Sequence, residues 1–125
     1  MISRDEILMK RDVEFPLTPQ LEDNLATLLD RVNQFRTIYG IPMSVSSGYR
    51  PGHYNKDAGG APNSSHKTCE AVDFHDADGQ LKTWIANNIT VLDTCDLYQE
   101  DPNSTKTWVH LSTRRPNSGN RVFKP

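Results

Sequence analysis

The chain has 125 residues, a length that suits one domain and is too short for two independent cores. It carries 14 basic and 16 acidic side chains, and the net charge of −2 argues against nucleic acid or anionic lipid as a partner. Apolar residues make up only 35% of the chain and form no long run, which excludes a membrane span.

The predicted elements of the first third are a short arm and a long helix. Residues 1–17 hold a small apolar group on a polar background and predict a helical turn or a docked arm. Thr18 and Pro19 are typical of a helix start, and Gly40 is typical of a helix stop. Apolar side chains between them recur every three or four residues, which predicts an amphipathic, core-forming helix over 18–39.

A strand and a long loop are predicted next. Residues 42–47 alternate like a strand, whereas residues 48–65 are rich in Gly, Pro, Asn and Ser. A structureless stretch of that length is unusual in a compact domain unless it binds something, so we consider it a candidate binding loop.

The second half predicts mainly strands. We expect them over residues 69–75, 94–100, 107–113 and 121–123, with a helix that Asp78 caps and that includes Leu81, Trp84 and Ile85. The turn residues 101–104 predict an antiparallel hairpin. The fold class is therefore α+β, with a small antiparallel sheet of about four strands, the 18–39 helix on one face and a metal cleft on the other.

Side-chain alternation predicts what lies on the cleft face. In residues 69–75 the apolar side chains alternate with Asp73, and in residues 107–113 they alternate with His110. Glu100 stands at the mouth of the hairpin that returns to His110. We therefore expect one sheet face to bring together Asp73, Glu100 and His110.

His66 completes a possible metal site. It lies seven residues before Asp73, so a turn must intervene for both side chains to reach the cleft. Two imidazoles and one carboxylate leave an open fourth position, the composition of a catalytic zinc site. Glu100 is then the nearby carboxylate that accepts a proton from water. Taken singly, each of these residues is more often a solvated or packed side chain.

Three segments resemble a known family. Residues 64–73 (SSHKTCEAVD) resemble the S-x-H-x-x-G-x-A-x-D motif of the zinc D-alanyl-D-alanine carboxypeptidase family, which is metallopeptidase family fifteen, subfamily A. Residues 108–110 (WVH) resemble its W-x-H motif, and residues 47–50 (SGYR) resemble its S-G-Y-R segment. Residues 2–12, 59–61 and 95–112 look like the compact phage and prophage members, so the resemblance covers nearly the whole chain.

The resemblance implies a role for each matching residue. Zinc is expected on His66, Asp73 and His110, with Glu100 as catalytic base, and Asp101 is the neighbour that could replace Glu100. Arg50 matches the arginine that stabilises an oxyanion or holds a substrate carboxylate. Cys69 departs from the motif, which has glycine there, and places a soft ligand near the metal.

We expect three residues to bind substrate: Ser64, Tyr49 and Trp108. Two interpretations of Ser64 remain open, because its hydroxyl either bonds a substrate or closes the turn before His66. Trp108 shares a strand face with His110 and is expected to form the floor of the pocket.

The predicted function is zinc-dependent hydrolysis of peptide bonds in bacterial peptidoglycan stem peptides, by one domain spanning residues 1–125. The cleaved bond is D-Ala-D-Ala, L-Ala-D-Glu or a cross-link, and the alternative is a non-hydrolytic, zinc-stabilised virion or wall-binding module. The polar first residues predict synthesis in a bacterial cytoplasm without a signal peptide, followed by action on the cell wall. We expect a monomer, with a possible phage association.

Overall fold

The structure, a computed structural model, describes all 125 residues and contains one sheet of five strands. The strand order is β1-β2-β4-β3-β5, and every neighbouring pair is antiparallel except β3 and β5, which are parallel. The α+β class and the antiparallel β3–β4 pair are as predicted, and the sheet has one strand more than expected. The strands are β1 (Val45–Ser47), β2 (Ala71–His75), β3 (Tyr98–Glu100), β4 (Trp108–Ser112) and β5 (Val122–Phe123).

The helices are short except for one. They are α1 (Arg4–Leu8), α2 (Pro19–Tyr39), α3 (His53–Asp57), α4 (Gln80–Asn87) and α5 (Val91–Cys95), together with a 3-10 helix at Ser65–Thr68. The bounds of α2 confirm the sequence prediction. The Thr18 hydroxyl accepts the amide of Leu21, and Gly40 ends α2 in the left-handed conformation with φ 78°. None of the helices is long and apolar enough to cross a membrane.

The core lies on one face of the sheet. Twenty buried residues form a single cluster, which includes the inward side chains of α2, such as Leu28 and Phe35. The sheet contributes the apolar members of β2 and β4 that the alternation predicted, namely Val72, Phe74, Val109 and Leu111. Because side chains alternate along a strand, the residues between them point to the other face.

The amino-terminal arm supports the segment that follows β1. A capping box of Ser3 and Glu6 begins α1, and the carbonyl of Ile7 accepts the amide of Tyr49 at 2.8 Å. A β-carbon on Gly48 would lie 2.1 Å from that same carbonyl oxygen, so only glycine fits where the two backbone segments pass each other. The arm therefore contains a short helix and is also docked, so it has the features of both sequence interpretations.

Two predicted segments are wrong in detail. Residues 48–65 are not structureless, because α3 and the start of the 3-10 helix lie within them. Residues 94–97 are not strand: α5 runs to Cys95, and Asp96 then takes φ 52° before β3 begins. The apolar residues 91, 92 and 95 are buried at helical spacing, so tertiary packing favours a helix where the sequence analysis predicted a strand.

The cap of α4 also differs from the prediction. The buried carboxylate of Asp76 accepts the amides of Leu81 and Lys82 at 2.8 and 3.0 Å. Asp78 accepts only the amide of Gln80, at 3.1 Å. Asp76 therefore satisfies most of the free amides at the start of α4, directly after β2.

Candidate metal centre and active site

Three elements bring His66, Asp73 and His110 together. Asp73 and His110 are register partners on the adjacent strands β2 and β4. His66 lies in the 3-10 helix, which ends at Cys69 in the left-handed conformation with φ 58°, immediately before β2. This turn supplies the change of direction that the odd spacing of His66 and Asp73 requires. All three side chains are buried, and their donor atoms lie within 4.8 Å of one another.

The donor atoms of the cluster converge on one carboxylate oxygen. Asp73 Oδ1 lies 2.9 Å from His110 Nδ1 and 3.3 Å from His66 Nε2. On its other side the His66 ring is held by the Gly48 carbonyl, 2.8 Å from Nδ1. This bond fixes the tautomer, because a carbonyl can only accept and Nδ1 must carry the proton.

The chemistry of this donor set fits a metal ion. With its proton on Nδ1, His66 presents a lone pair at Nε2, and that atom is buried and makes no hydrogen bond. The lone pair of His66 Nε2 and the carboxylate oxygen of Asp73 thus face each other in the buried interior. A cation between them would bind both. Two imidazoles and one carboxylate match the three protein ligands of a catalytic zinc site.

Electrostatics keep both His66 and Asp73 in the protonation state that a metal requires. Burial lowers the pKa of the His66 imidazole, so the ring is neutral. Burial opposes ionisation of Asp73, but hydrogen bonding, chiefly from His110 Nδ1, outweighs it and holds the pKa of this carboxyl well below its usual range. Neutral imidazole and ionised carboxylate are the forms that bind zinc.

The cluster lies in a cleft of about 790 Å³ that Glu100 also lines. Burial raises the pKa of the Glu100 carboxyl, which makes its carboxylate a stronger base. Asp101 does not line the cleft, and its carboxylate instead accepts the amide of Asn103 at 3.0 Å. Of the two candidate bases, only Glu100 therefore faces the metal cluster.

Arg50 and Ser64 line the same cleft. Arg50 Nη2 lies 3.4 Å from Ser64 Oγ, and Arg50 Nε is buried without a partner. Burial lowers the pKa of this guanidinium, which stays cationic because its reference value is far above neutrality. The Ser64 hydroxyl also accepts the amide of His66 at 3.2 Å, so it closes the turn before His66 and faces the cleft as well.

Trp108 lines the cleft, but Tyr49 does not. Tyr49 is a buried member of the core, and its hydroxyl donates to the Phe15 carbonyl at 3.1 Å. The expectation that Tyr49 contacts substrate is therefore corrected: consecutive residues point in different directions, and here Arg50 faces the cleft while Tyr49 faces the core.

Cys69 is likewise a packing residue. Its thiol is fully buried in the core cluster and does not belong to the group of possible metal ligands. Burial raises the pKa of the thiol to about 12, so it stays protonated and is a poor ligand. Its left-handed backbone explains why glycine suits this position of the motif.

Sequence reasoning missed one wall of the cleft. The connection between β4 and β5 lines it through Arg114, Arg115, Pro116 and Asn117, followed by Phe123 and Lys124. The Phe123 ring packs edge-on against His110, with ring centroids 6.0 Å apart. The pair Arg114 and Arg115, shortly after the strand that carries the W-x-H motif, is the sequence feature that could have indicated this wall.

Comparison with known proteins agrees with this geometry. Residues 3–112 match the family model described as Peptidase M15. No curated protein matches the chain, and no solved structure matches it either. The matched segment contains His66, Asp73, His110, Glu100 and Arg50. The chain belongs to the peptidase M15 family of zinc-dependent metallopeptidases.

Proposed function

We propose that this protein hydrolyses peptide bonds in the stem peptides of bacterial peptidoglycan, with zinc held by His66, Asp73 and His110. The observation that carries the proposal is the buried His–Asp–His cluster, with its unpaired His66 Nε2, inside a cleft that Glu100 and Arg50 also line. When bound, zinc supplies Lewis acidity, which lowers the pKa of water and polarises a carbonyl group.

The side chains around the cluster have separate tasks. Glu100 takes a proton from the attacking water and returns it to the leaving amine as the carbon–nitrogen bond breaks. Arg50 donates hydrogen bonds to the developing oxyanion or to a substrate carboxylate, and its partnerless Nε is one such donor. Trp108 and Ser64 contact the bound peptide from the cleft surface.

The charge of the cleft favours an anionic peptide as substrate. Its lining contains three cationic side chains without an acidic partner, Arg50, Arg115 and Lys124, and two acidic ones, Asp73 and Glu100, whereas the fourth cation, Arg114, is paired with Glu70. The chain as a whole carries a net charge of −2, so this positive excess is local. Cell-wall stem peptides carry free carboxylates, which a cleft of this kind binds.

A single chain suffices for this activity. All the proposed ligands, the base and the arginine come from one chain, so the protein is proposed to act as a monomer. The core cluster runs from Ile2 to Leu111, which supports residues 1–125 as one peptidase domain. The proposed place of action is the bacterial cell wall, where this substrate is found.

Digestion of purified peptidoglycan tests the proposal. The protein is incubated with peptidoglycan in the presence of zinc, or with a chelator, or as the Glu100→Gln variant, and the released fragments are identified by mass spectrometry. We expect fragments only from the zinc-loaded wild type, and their masses distinguish loss of a terminal D-Ala from cleavage at L-Ala-D-Glu or at a cross-link.

A non-hydrolytic module gives a different result in the same experiment. Such a protein sediments with peptidoglycan but releases no fragments with zinc or without it. That outcome contradicts the proposed hydrolysis and supports a wall-binding role. Glu100 favours the enzyme, because a binding module has no need for a partly buried carboxylate beside its metal cluster.

A further inference from the structure

Two adjacent arginines in the β4–β5 connection have different environments. Arg114 is held by three groups: Glu70 Oε1 at 3.0 Å, Thr68 Oγ1 at 2.9 Å and the Asn63 carbonyl at 2.5 Å. Its charge is neutralised by Glu70, and its bonds fasten this connection to the segment that carries His66. Arg114 therefore has a structural role in the wall of the cleft.

Arg115 has no such partner. It is exposed, lines the cleft and takes part in none of the ion pairs of the structure. Its guanidinium lies over Gly119, where an added β-carbon would be 2.7 Å from Nη2. Gly119 has φ 73° and donates its amide to the Pro116 carbonyl at 2.9 Å, so a tight turn leaves the space that the guanidinium occupies.

The cleft thus has cations on two separate walls. Arg50 follows β1, which is one edge of the sheet, whereas Arg115 lies in the connection to β5, which is the other edge. Under the proposed function, the Arg50 guanidinium binds the developing oxyanion or a substrate carboxylate near the scissile bond. The other remains free to bind an anionic group elsewhere on the same peptide.

We propose that Arg115 is a specificity-determining residue, whose guanidinium binds a second carboxylate of the peptide substrate on the wall formed by the β4–β5 connection. This inference rests on the proposed function, since it names a substrate feature that the same cleft recognises. A planar guanidinium pairs with a carboxylate through two parallel hydrogen bonds, so a neutral amide in its place is disfavoured. Substrates with two free carboxylates are therefore preferred over their monoamides.

Two matched peptides test the preference. One is a stem peptide containing γ-linked D-glutamate with a free α-carboxylate, and the other carries the amide at that carboxylate alone. Binding is measured by calorimetry on zinc-loaded Glu100→Gln protein, in which turnover is slow, and cleavage is measured separately on protein with Glu100 intact. We expect the free carboxylate to improve affinity by about tenfold, and Arg115→Gln to reduce that preference to about twofold or less.

Two further variants distinguish the position of the Arg115 guanidinium from the overall positive charge of the protein. Lys106→Gln removes one exposed cation outside the cleft, so it should leave the preference unchanged. Gly119→Ala keeps the charge of Arg115 but places a β-carbon against its guanidinium, so we expect it to weaken the preference. Zinc content and melting temperature identify any variant that fails to fold, and Arg115→Lys then tests the loss of the planar donor in a folded protein.

The outcomes distinguish this inference from the proposed function. Equal binding of both peptides by the wild type, or a preference that survives Arg115→Gln, overturns the role of Arg115 even if peptides are cleaved. A preference that depends on Arg115 supports it even if no peptide is cleaved, a result that contradicts the proposed hydrolysis. Failure to bind and to cleave either peptide overturns both.

Discussion

Asp73 and His110 face each other across β2 and β4, with Asp73 Oδ1 2.9 Å from His110 Nδ1. Their neighbours along the strands, Val72 and Val109, lie in the core. The same alternation therefore packs the sheet against α2 and aims a carboxylate and an imidazole into the cleft. Stability and metal binding are coupled here, because a slip of either strand by one residue would turn its own ligand into the core and separate it from its partner.

The first prediction concerns metal content. We expect one zinc per chain, and we expect His66→Ala and His110→Ala to lose it, since each removes one of three ligands. The matched control is His75→Ala, which removes an exposed imidazole on the same strand as Asp73 and outside the cleft. Elemental analysis after dialysis measures the ratio, and full zinc retention in both ligand variants would contradict the site.

The second prediction separates the base from the ligands. Glu100→Gln keeps the shape of the side chain and removes its ability to accept a proton, so turnover should fall by roughly a hundredfold or more. Zinc content and melting temperature should stay at wild-type values. Asp101→Asn is the control, because its carboxamide can still accept the amide of Asn103. Zinc loss in Glu100→Gln would show that Glu100 is a ligand.

The third prediction concerns Arg50. Lysine preserves the charge but lacks the planar pair of donors, so Arg50→Lys should lower kcat/KM by about tenfold or more with zinc content unchanged. A rise in KM alone indicates that Arg50 holds a carboxylate of the bound substrate, whereas a fall in kcat indicates oxyanion stabilisation. Steady-state kinetics on a peptide ending in D-Ala-D-Ala measures both, and wild-type constants would remove Arg50 from the mechanism.

The parts of the site that follow a regular period were predictable. A strand repeats every two residues, so Asp73 and His110 could be assigned to one face from the sequence alone. The directions of Tyr49 and Arg50 could not, because they follow β1 in irregular backbone, where no period applies. Residues 94–97 were misassigned for a related reason: a segment this short fits the end of a helix or the start of a strand, and the packing of Cys95 and Leu97 in the core decides between them.

The fourth prediction concerns Gly48, which links the docked arm to the metal cluster. Its carbonyl accepts from His66, and its α-carbon passes so close to Ile7 that a β-carbon would clash with backbone. Gly48→Ala should therefore destabilise the protein by about 2–4 kcal/mol and weaken zinc binding.

Gly40→Ala is the control for this substitution. Gly40 has a positive φ but open space around it, so alanine there should cost only about 1 kcal/mol, and zinc binding should be unaffected. Urea unfolding and zinc titration compare the two variants. Equal destabilisation by Gly48→Ala and Gly40→Ala would show that the close contact between Gly48 and the Ile7 carbonyl does not constrain residue 48.

The fifth prediction concerns alkaline pH. The Cys69 thiol has a pKa of about 12 in the folded protein, raised by burial, against 9.0 for an unburied thiol. At pH values between these two pKa values, the unfolded chain has lost the thiol proton while the folded chain keeps it. The free energy of unfolding therefore falls as pH rises through this window, and the contribution is absent below it.

Removing the thiol isolates this contribution. Cys69→Ala keeps a β-carbon at the left-handed position but has no group to titrate, so its stability should depend less on pH above 9. Between pH 7 and about pH 10 the wild type should lose about 1 kcal/mol more than the variant. Burial also raises the pKa values of Tyr39 and Tyr49, but both remain in the two proteins and cancel in the difference. Urea unfolding under reducing conditions at several pH values measures this difference, and parallel stability curves would mean that the thiol ionises as easily in the folded protein as in the unfolded chain.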